Sequence, residues 1–383
     1  MLTTSVRPAA ALAVLISCPA LLLSSCGSGN HSVVCNAAAS GCGCYPAGEC
    51  PAQFNSYLYT SGITGQISSF PITASTGLLG TPTSASGPQG MLGMAVIDNA
   101  FLYASDAALQ SGGPVEGWTI DQSSGALTTV TGSPFDLVVV SVSGALAANN
   151  NAQVLYVADA GKIDALHADP NSGALTALSG SPFPSGTELF LAVDLYDRYL
   201  FASDITPPGN VLAYTIDSTG ALTAVAGSPF PAVAGSTNTY PYQIVVDSSG
   251  KFVYVDLMFT NQIAGFAIDS STGGLTAVPG SPFSTGTMPT ALATVNNVLY
   301  VSNSQDGTVS GYTIDATTGV LTPIPGSPFA INTGALATDS AGNFLYAPGA
   351  HGIQVYSIAA NGALTPTGSP VPAPGASTLL YVQ

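Results

Sequence analysis

Short apolar runs, broken every few residues by Gly, Asp, Asn, Ser or Pro, fill the chain from Tyr57 to its end, and none keeps the spacing of an amphipathic helix. The stretch from Thr290 to Ile324 shows the grammar. Thr290 to Val295 predicts a strand a, Val298 to Ser302 a strand b, Val309 to Ile314 a strand c and Leu321 to Ile324 a strand d. Between c and d, Asp315-Ala-Thr-Thr-Gly319 supplies a turn in which a short carboxylate can bond nearby backbone and glycine can take positive φ. Runs such as Phe101-Leu102-Tyr103-Ala104 are apolar on both faces, which fits a sheet held between two neighbours.

The same unit recurs. Its landmark falls at Leu58-Tyr59, Leu102-Tyr103, Leu155-Tyr156, Leu200-Phe201, Val253-Tyr254, Leu299-Tyr300 and Leu345-Tyr346, spaced by 44 to 53 residues. A repeat of this length built from four short strands predicts an all-β protein, a seven-bladed β-propeller of four-stranded antiparallel blades. The ring side chains of strand c (Phe70, Trp118, Tyr214, Phe266, Tyr312 and Tyr356, with Leu166 the exception) are assigned to packing between blades. Gly-Ser-Pro-Phe follows strand d at Gly132, Gly180, Gly227, Gly280 and Gly326, and a copy at Gly368 ends in Val371. A motif printed so often is a building unit. Gly and Pro turn the chain toward the next blade and Phe anchors the loop in apolar surface. The first unit starts at strand b, whereas the C-terminus carries the spare run Ser377 to Val382. Pairing that run with Tyr57 to Tyr59 would close the ring and remove its open edge.

Units in which Leu-Tyr-Val is followed by Tyr-x-Ile-Asp-x-x-Thr-Gly-x-Leu-Thr and Gly-Ser-Pro-Phe resemble the bacterial YVTN-type propellers of the lactonase family, related to 6-phosphogluconolactonase, from Phe54 to Gln383. The resemblance implies the seven-bladed fold. It implies lactone hydrolysis less directly, because the matching residues are turn and packing positions. Enzymes of that family act on anionic sugars and acids, for which a cationic cavity is expected.

Charge changes that expectation. The net charge is -16, with 4 Lys and Arg in 383 residues. Nucleic acid is thereby excluded as a partner. Residues 1–25, with Arg7 and an apolar run to Leu23, read as a signal peptide, and Leu23-Ser24-Ser25-Cys26 resembles a lipobox whose Cys26 accepts lipid. An ordinary cleaved signal and a retained anchor are the alternatives. Residues 26–53 form a Cys-rich tether. Cys35, Cys42, Cys44 and Cys50 are expected to form two disulfides in an exported protein, with a four-thiolate zinc site as the rival reading. Residues 54–383 are the propeller, placed in the bacterial cell envelope, lipid-anchored, on the periplasmic or outer-membrane side. It touches the membrane only through its lipid and is expected to be a monomer.

Of the remaining cations, Arg198 and Lys251 fall in a–b turns, and only Lys162 belongs to a b–c loop, on the side where propellers usually take ligands. Asp106, Asp159 and Asp204, three residues after the ring side chain of strand b, form a partial acidic series with Asn303, and Asp256 lies one residue earlier. That series could bind a divalent cation or a basic partner, or simply cap turns. No cofactor motif is present and no metal ligand is assigned. His351, in the seventh b–c loop, and the non-repeating carboxylates Glu188 and Glu116 are the acid-base candidates. The sequence thus points to a surface-anchored propeller that binds a ligand, a protein or a carbohydrate on its loop face. The alternative is a lactonase-like hydrolase of a neutral sugar lactone.

Overall fold

A computed structural model describes residues 33–34, 45–46, 56–62, 65–88, 93–105, 114–136, 143–159 and 161–382. The signal peptide, Cys26, the four tether cysteines Cys35, Cys42, Cys44 and Cys50, and Asp106 lie outside them. The chain divides into residues 1–52, where Val33–Val34 pairs antiparallel with Tyr45–Pro46, and residues 53–383.

The second unit holds seven antiparallel sheets, each running a-b-c-d from its first strand to its last. The first strands are Ala376–Val382 in blade 1, Met94–Ile97 in blade 2, Ser143–Asn149 in blade 3, Glu188–Val193 in blade 4, Pro241–Val246 in blade 5, Pro289–Val295 in blade 6 and Ala337–Thr338 in blade 7. Each touches the first strand of the next blade in an unbroken circuit, so these strands line the centre of a ring. The expected closure is present and longer than the sequence suggested. Ala376–Val382 pairs with Tyr57–Gly62, from Tyr57 opposite Val382 to Gly62 opposite Ala376.

Blade joins blade through strand b. The buried hydroxyl of Tyr59 donates to the carbonyl of Gly125 in the c–d turn of blade 2 at 2.9 Å. Tyr103 does the same to Gly173 at 2.7 Å, Tyr156 to Gly220 at 2.7 Å, Tyr254 to Gly319 at 2.6 Å and Tyr300 to Gly362 at 2.8 Å. Blade 4 carries Phe201 at this place, and there the hydroxyl of Tyr199 donates to Ser270 at 3.0 Å. The seven hydrophobic clusters each combine side chains from two adjacent blades, as sheets apolar on both faces require. The strand-c aromatics pack in these seams as expected, and two gain a polar partner. Tyr214 donates to the carbonyl of Pro184 and Tyr312 to that of Ser284, both in the preceding blade's linker.

Gly-Ser-Pro-Phe does more than turn the chain. Strand d is only three residues long in blades 2 to 6 and leaves the upper half of strand c uncovered. The motif's serine oxygen accepts the strand-c amide at that break: Gly117 to Ser133 at 3.0 Å, Ala165 to Ser181 at 2.9 Å, Gly265 to Ser281 at 2.9 Å. The phenylalanine backbone then pairs with strand c again, Phe183 with Ile163 and Phe230 with Val211, adding a fifth short strand to blades 3, 4 and 5. The Ser-Pro bonds are cis in all five copies from Gly132 to Gly326.

Candidate functional site

The b–c turns and d–a linkers share one face of the ring, and the a–b and c–d turns share the other. Acidic residues are the commonest ionisable groups on both, and the structure shows where most of their capacity goes. In the c–d turns Asp121, Asp169, Asp217, Asp269 and Asp315 accept backbone amides two to four residues on, together with Ser or Thr hydroxyls, in the pattern of Asx turns. These bonds favour the ionised form, and hydroxyl and amide donors from Ser123 and Ser124 hold Asp121 down at about 2. In the a–b turns the buried Asp194, Asp247 and Asp339 each accept two amides opening the next strand, at 2.5 to 2.8 Å. Only the c–d series was visible in the repeat. The a–b series was not singled out because its neighbours differ from blade to blade.

The series at the upper ends of strand b is buried rather than displayed. Asp159 and Asn303 are 0% exposed and Asp204 is 3% exposed. Asp204 accepts the amides of Thr187 and Thr206, both at 2.9 Å, so it ties the d–a linker to the b–c turn. Asn303 accepts from the Thr285 hydroxyl and donates to Thr308 and Ser310. Among the described residues no three His, Cys, Asp or Glu side chains converge on a metal-sized space.

Asp256 stands apart. Its place on strand b is taken by serine in blades 1, 2, 4 and 6. In blade 4 the Ser203 oxygen accepts the amide of Phe190 at the irregularity of strand a. In blade 5 Asp256 Oδ1 accepts the corresponding amide, Gln243, at 3.0 Å, while the fully buried Oδ2 has no well-formed hydrogen bond. Burial pushes its carboxyl well above the usual range, with the amides of Gln243 and Tyr242 opposing it. A carboxyl raised in the folded state contributes stability that is present below its unfolded value and is lost as pH rises through the folded value. Asp256→Ser should therefore make stability fall less steeply than in the parent protein as pH rises above the ordinary carboxylate range. Chemical denaturation at a series of pH values checks it, and an unchanged slope would contradict it.

The acid-base candidates are not brought together. His351 is exposed in the two-residue turn between strands b and c of blade 7. Glu116 is the second residue of strand c in blade 2, half-buried and opposite Ala104 within the sheet. Glu188 opens the first strand of blade 4, opposite Asp204, which puts its backbone at the loop-face end of the central ring. Lys162 is exposed at the loop-face start of strand c in blade 3. Arg198 lies on the opposite face, paired with Asp194 at 3.0 Å and seated over the rings of Tyr196 and Tyr199. Lys251 is in the a–b turn of blade 5 on that same face.

Two features escaped the sequence reading. On the loop face Phe259, 64% exposed, stacks on Tyr240 with centroids 4.4 Å apart, and Met288 stands exposed nearby in the following linker. In the strands that line the centre, Tyr242 packs edge-on against Phe190 at 4.7 Å, with Gln243 beside it. Single aromatic residues in loops carry no periodic signal, so nothing in the repeat marks them.

The family described as lactonase, 7-bladed beta-propeller matches residues 209–334, from the third strand of blade 4 to the linker before blade 7. A comparison with curated proteins finds no match. Among solved structures, a candidate 6-phosphogluconolactonase of Bacteroides fragilis superposes with a TM-score of 0.72 at 17% identity, over 88% of this chain and 100% of that one. A periplasmic gluconolactonase of Pseudomonas aeruginosa superposes with a TM-score of 0.70 at 16% identity, over 86% and 99%. A protein from Lactobacillus plantarum gives 0.66 at 18% identity, over 86% and 99%. The chain is a seven-bladed β-propeller, similar in sequence to the lactonase family over residues 209–334 and in fold to the solved propellers around the whole ring.

Proposed function

We propose that the protein is an extracytoplasmic lactonase-type hydrolase whose substrate is an uncharged sugar lactone. The observation that carries the activity is the lactonase match over residues 209–334, and the solved relative described as a periplasmic gluconolactonase supports both the reaction class and the compartment. The charge distribution selects the substrate within that class. Among the described residues the cations are Lys162, Arg198 and Lys251, and only Lys162 is on the loop face. A phosphorylated or carboxylated lactone would leave water without the bidentate guanidinium partners that usually offset its desolvation, against a net charge of -16. A neutral lactone meets no such penalty.

Ester hydrolysis needs a group to accept a proton from the attacking water. Glu188 is the candidate best placed for it, because its strand lines the centre and its position is at the loop-face end. His351, in a b–c turn of blade 7, is the alternative base. The lipid anchor at Cys26 would hold this activity at the cell envelope.

Acid release from glucono-1,5-lactone and from its 6-phosphate, followed at constant pH, tests the reading. The neutral lactone should be hydrolysed above the uncatalysed rate and preferred to the phosphate, and Glu188→Gln should lower kcat by 10²-fold or more, about the usual contribution of a general base. No acceleration with either lactone would refute the enzyme reading, and a preference for the phosphate would refute the substrate assignment. The exposed Phe259 and Met288, with the half-buried Tyr240 against the Phe259 ring, favour a second reading, in which the same face captures a protein or carbohydrate partner without chemistry.

A further inference from the structure

Each complete Gly-Ser-Pro-Phe sends its ring into the seam shared with the following blade. Phe135 packs between blades 2 and 3, Phe183 between 3 and 4, Phe230 between 4 and 5, Phe283 between 5 and 6, and Phe329 between 6 and 7. Two seams lack it. Between blades 1 and 2 the first unit contributes Ala85, and between blades 7 and 1 the last copy of the motif ends in Val371.

The missing ring at the 7–1 seam is not replaced from the other side. The position on strand c that faces the preceding blade is Ser68 in blade 1, polar as in blades 2, 3, 6 and 7 with Glu116, Asp164, Ser310 and Gln354, so no apolar side chain of blade 1 fills the gap left by the missing ring. A cleft of about 400 Å³ opens there, between blade 1 and the linker that leads into its C-terminal strand. Gln66, Ser68 and Ser84 offer it a carboxamide and hydroxyls, Pro82, Pro372 and Pro374 offer apolar surface, and the buried Thr60 and Phe70 lie beneath. No charged side chain lines it. The oxygens of Ser68 and Ser84 lie 3.3 Å apart, within hydrogen-bond distance of each other and exposed.

We propose that this closure seam is a binding site for a neutral monosaccharide, separate from the central loop-face site and independent of the lactonase reading. Hydroxyl and amide groups both donate and accept, as the hydroxyls of a sugar do. The proline surfaces match the C–H face of a pyranose, and the volume suits a ligand of that size. An anionic sugar is rejected because nothing in the cleft compensates for stripping its charge of water. Since the first blade and the linker into the closing strand wall the cleft, an occupied seam also fastens the ring.

The test is thermal unfolding of the intact protein with millimolar glucose, galactose or mannose, and with glucose 6-phosphate and gluconate as charged counterparts. At least one neutral sugar should raise the melting temperature in proportion to the logarithm of its concentration, and the charged counterparts should not. Val371→Phe should restore the missing ring, raise the melting temperature of the free protein and abolish the sugar-induced shift. Gln66→Ala, at an exposed position that leaves the fold undisturbed, should reduce that shift. Lactone hydrolysis should persist in both variants, so failure here is distinguishable from failure of the proposed activity. Absence of a shift with every neutral sugar, an equal shift with the charged ones, or a shift unchanged in both variants would overturn the proposal.

Discussion

Removal of residues 376–383 is expected to unfold the propeller outright, although the deletion takes no residue from blades 2 to 7. The lost strand supplies the inner edge of blade 1 and three side chains to two separate seams. Leu380 and Val382 pack with Tyr57, Tyr59 and blade 2, and Leu379 packs with blade 7. The buried Val382 contributes about 2 kcal/mol and the partly buried Leu379 and Leu380 about 1 kcal/mol each, so the deletion removes about 4 kcal/mol, close to the whole stability of a marginal domain. It also bares Tyr57–Gly62 as an edge strand, which invites pairing between molecules. Circular dichroism and light scattering of the purified variant should show lost cooperativity together with aggregation. A monomer that melts as the parent does would contradict the closure.

The second large effect is expected at the glycines of the c–d turns, where a matched control exists in the same chain. Gly319 and Gly235 both adopt φ of +76°. A Cβ at Gly319 would stand 2.5 Å from the Phe252 ring and 2.9 Å from Val278, inside the wedge between blades 5 and 6, whereas a Cβ at Gly235 meets nothing within 4 Å. Gly235→Ala should therefore cost only the left-handed backbone, about 1 kcal/mol. Gly319→Ala should add overpacking of about 1 to 3 kcal/mol, and it also threatens the carbonyl that receives the Tyr254 hydroxyl. Urea denaturation of the two variants measures the difference. Equal losses would mean that the glycine is kept for its backbone alone and that the turn does not seat against its neighbour.

Much of this architecture was legible because a repeat averages out local accidents. Seven recurrences of the Leu-Tyr landmark set the number of blades, and the missing first strand of the opening unit together with the spare run at Ser377 to Val382 identified the closure. The burial of the acidic series was harder to read, because a side chain at a strand end looks the same in sequence whether it faces solvent or a linker amide, as Asp204 does. The serine of Gly-Ser-Pro-Phe was taken as part of a turn, since its role in covering an interrupted strand c depends on how short strand d is in three dimensions. The candidate site was least legible of all. Phe259, Tyr240 and the open seam at Val371 depart from the repeat, and a departure acquires meaning only once the space around it is known.

Amide hydrogen exchange of the intact protein, followed residue by residue, tests the closed ring most directly. Those amides between Thr378 and Tyr381 that donate to Tyr57–Gly62 should exchange as slowly as those of Leu58 to Thr60, and both groups should open only with global unfolding. Exchange of the C-terminal amides at the rate of an unstructured peptide, while Leu58 to Thr60 stay protected, would show that the tail does not complete blade 1.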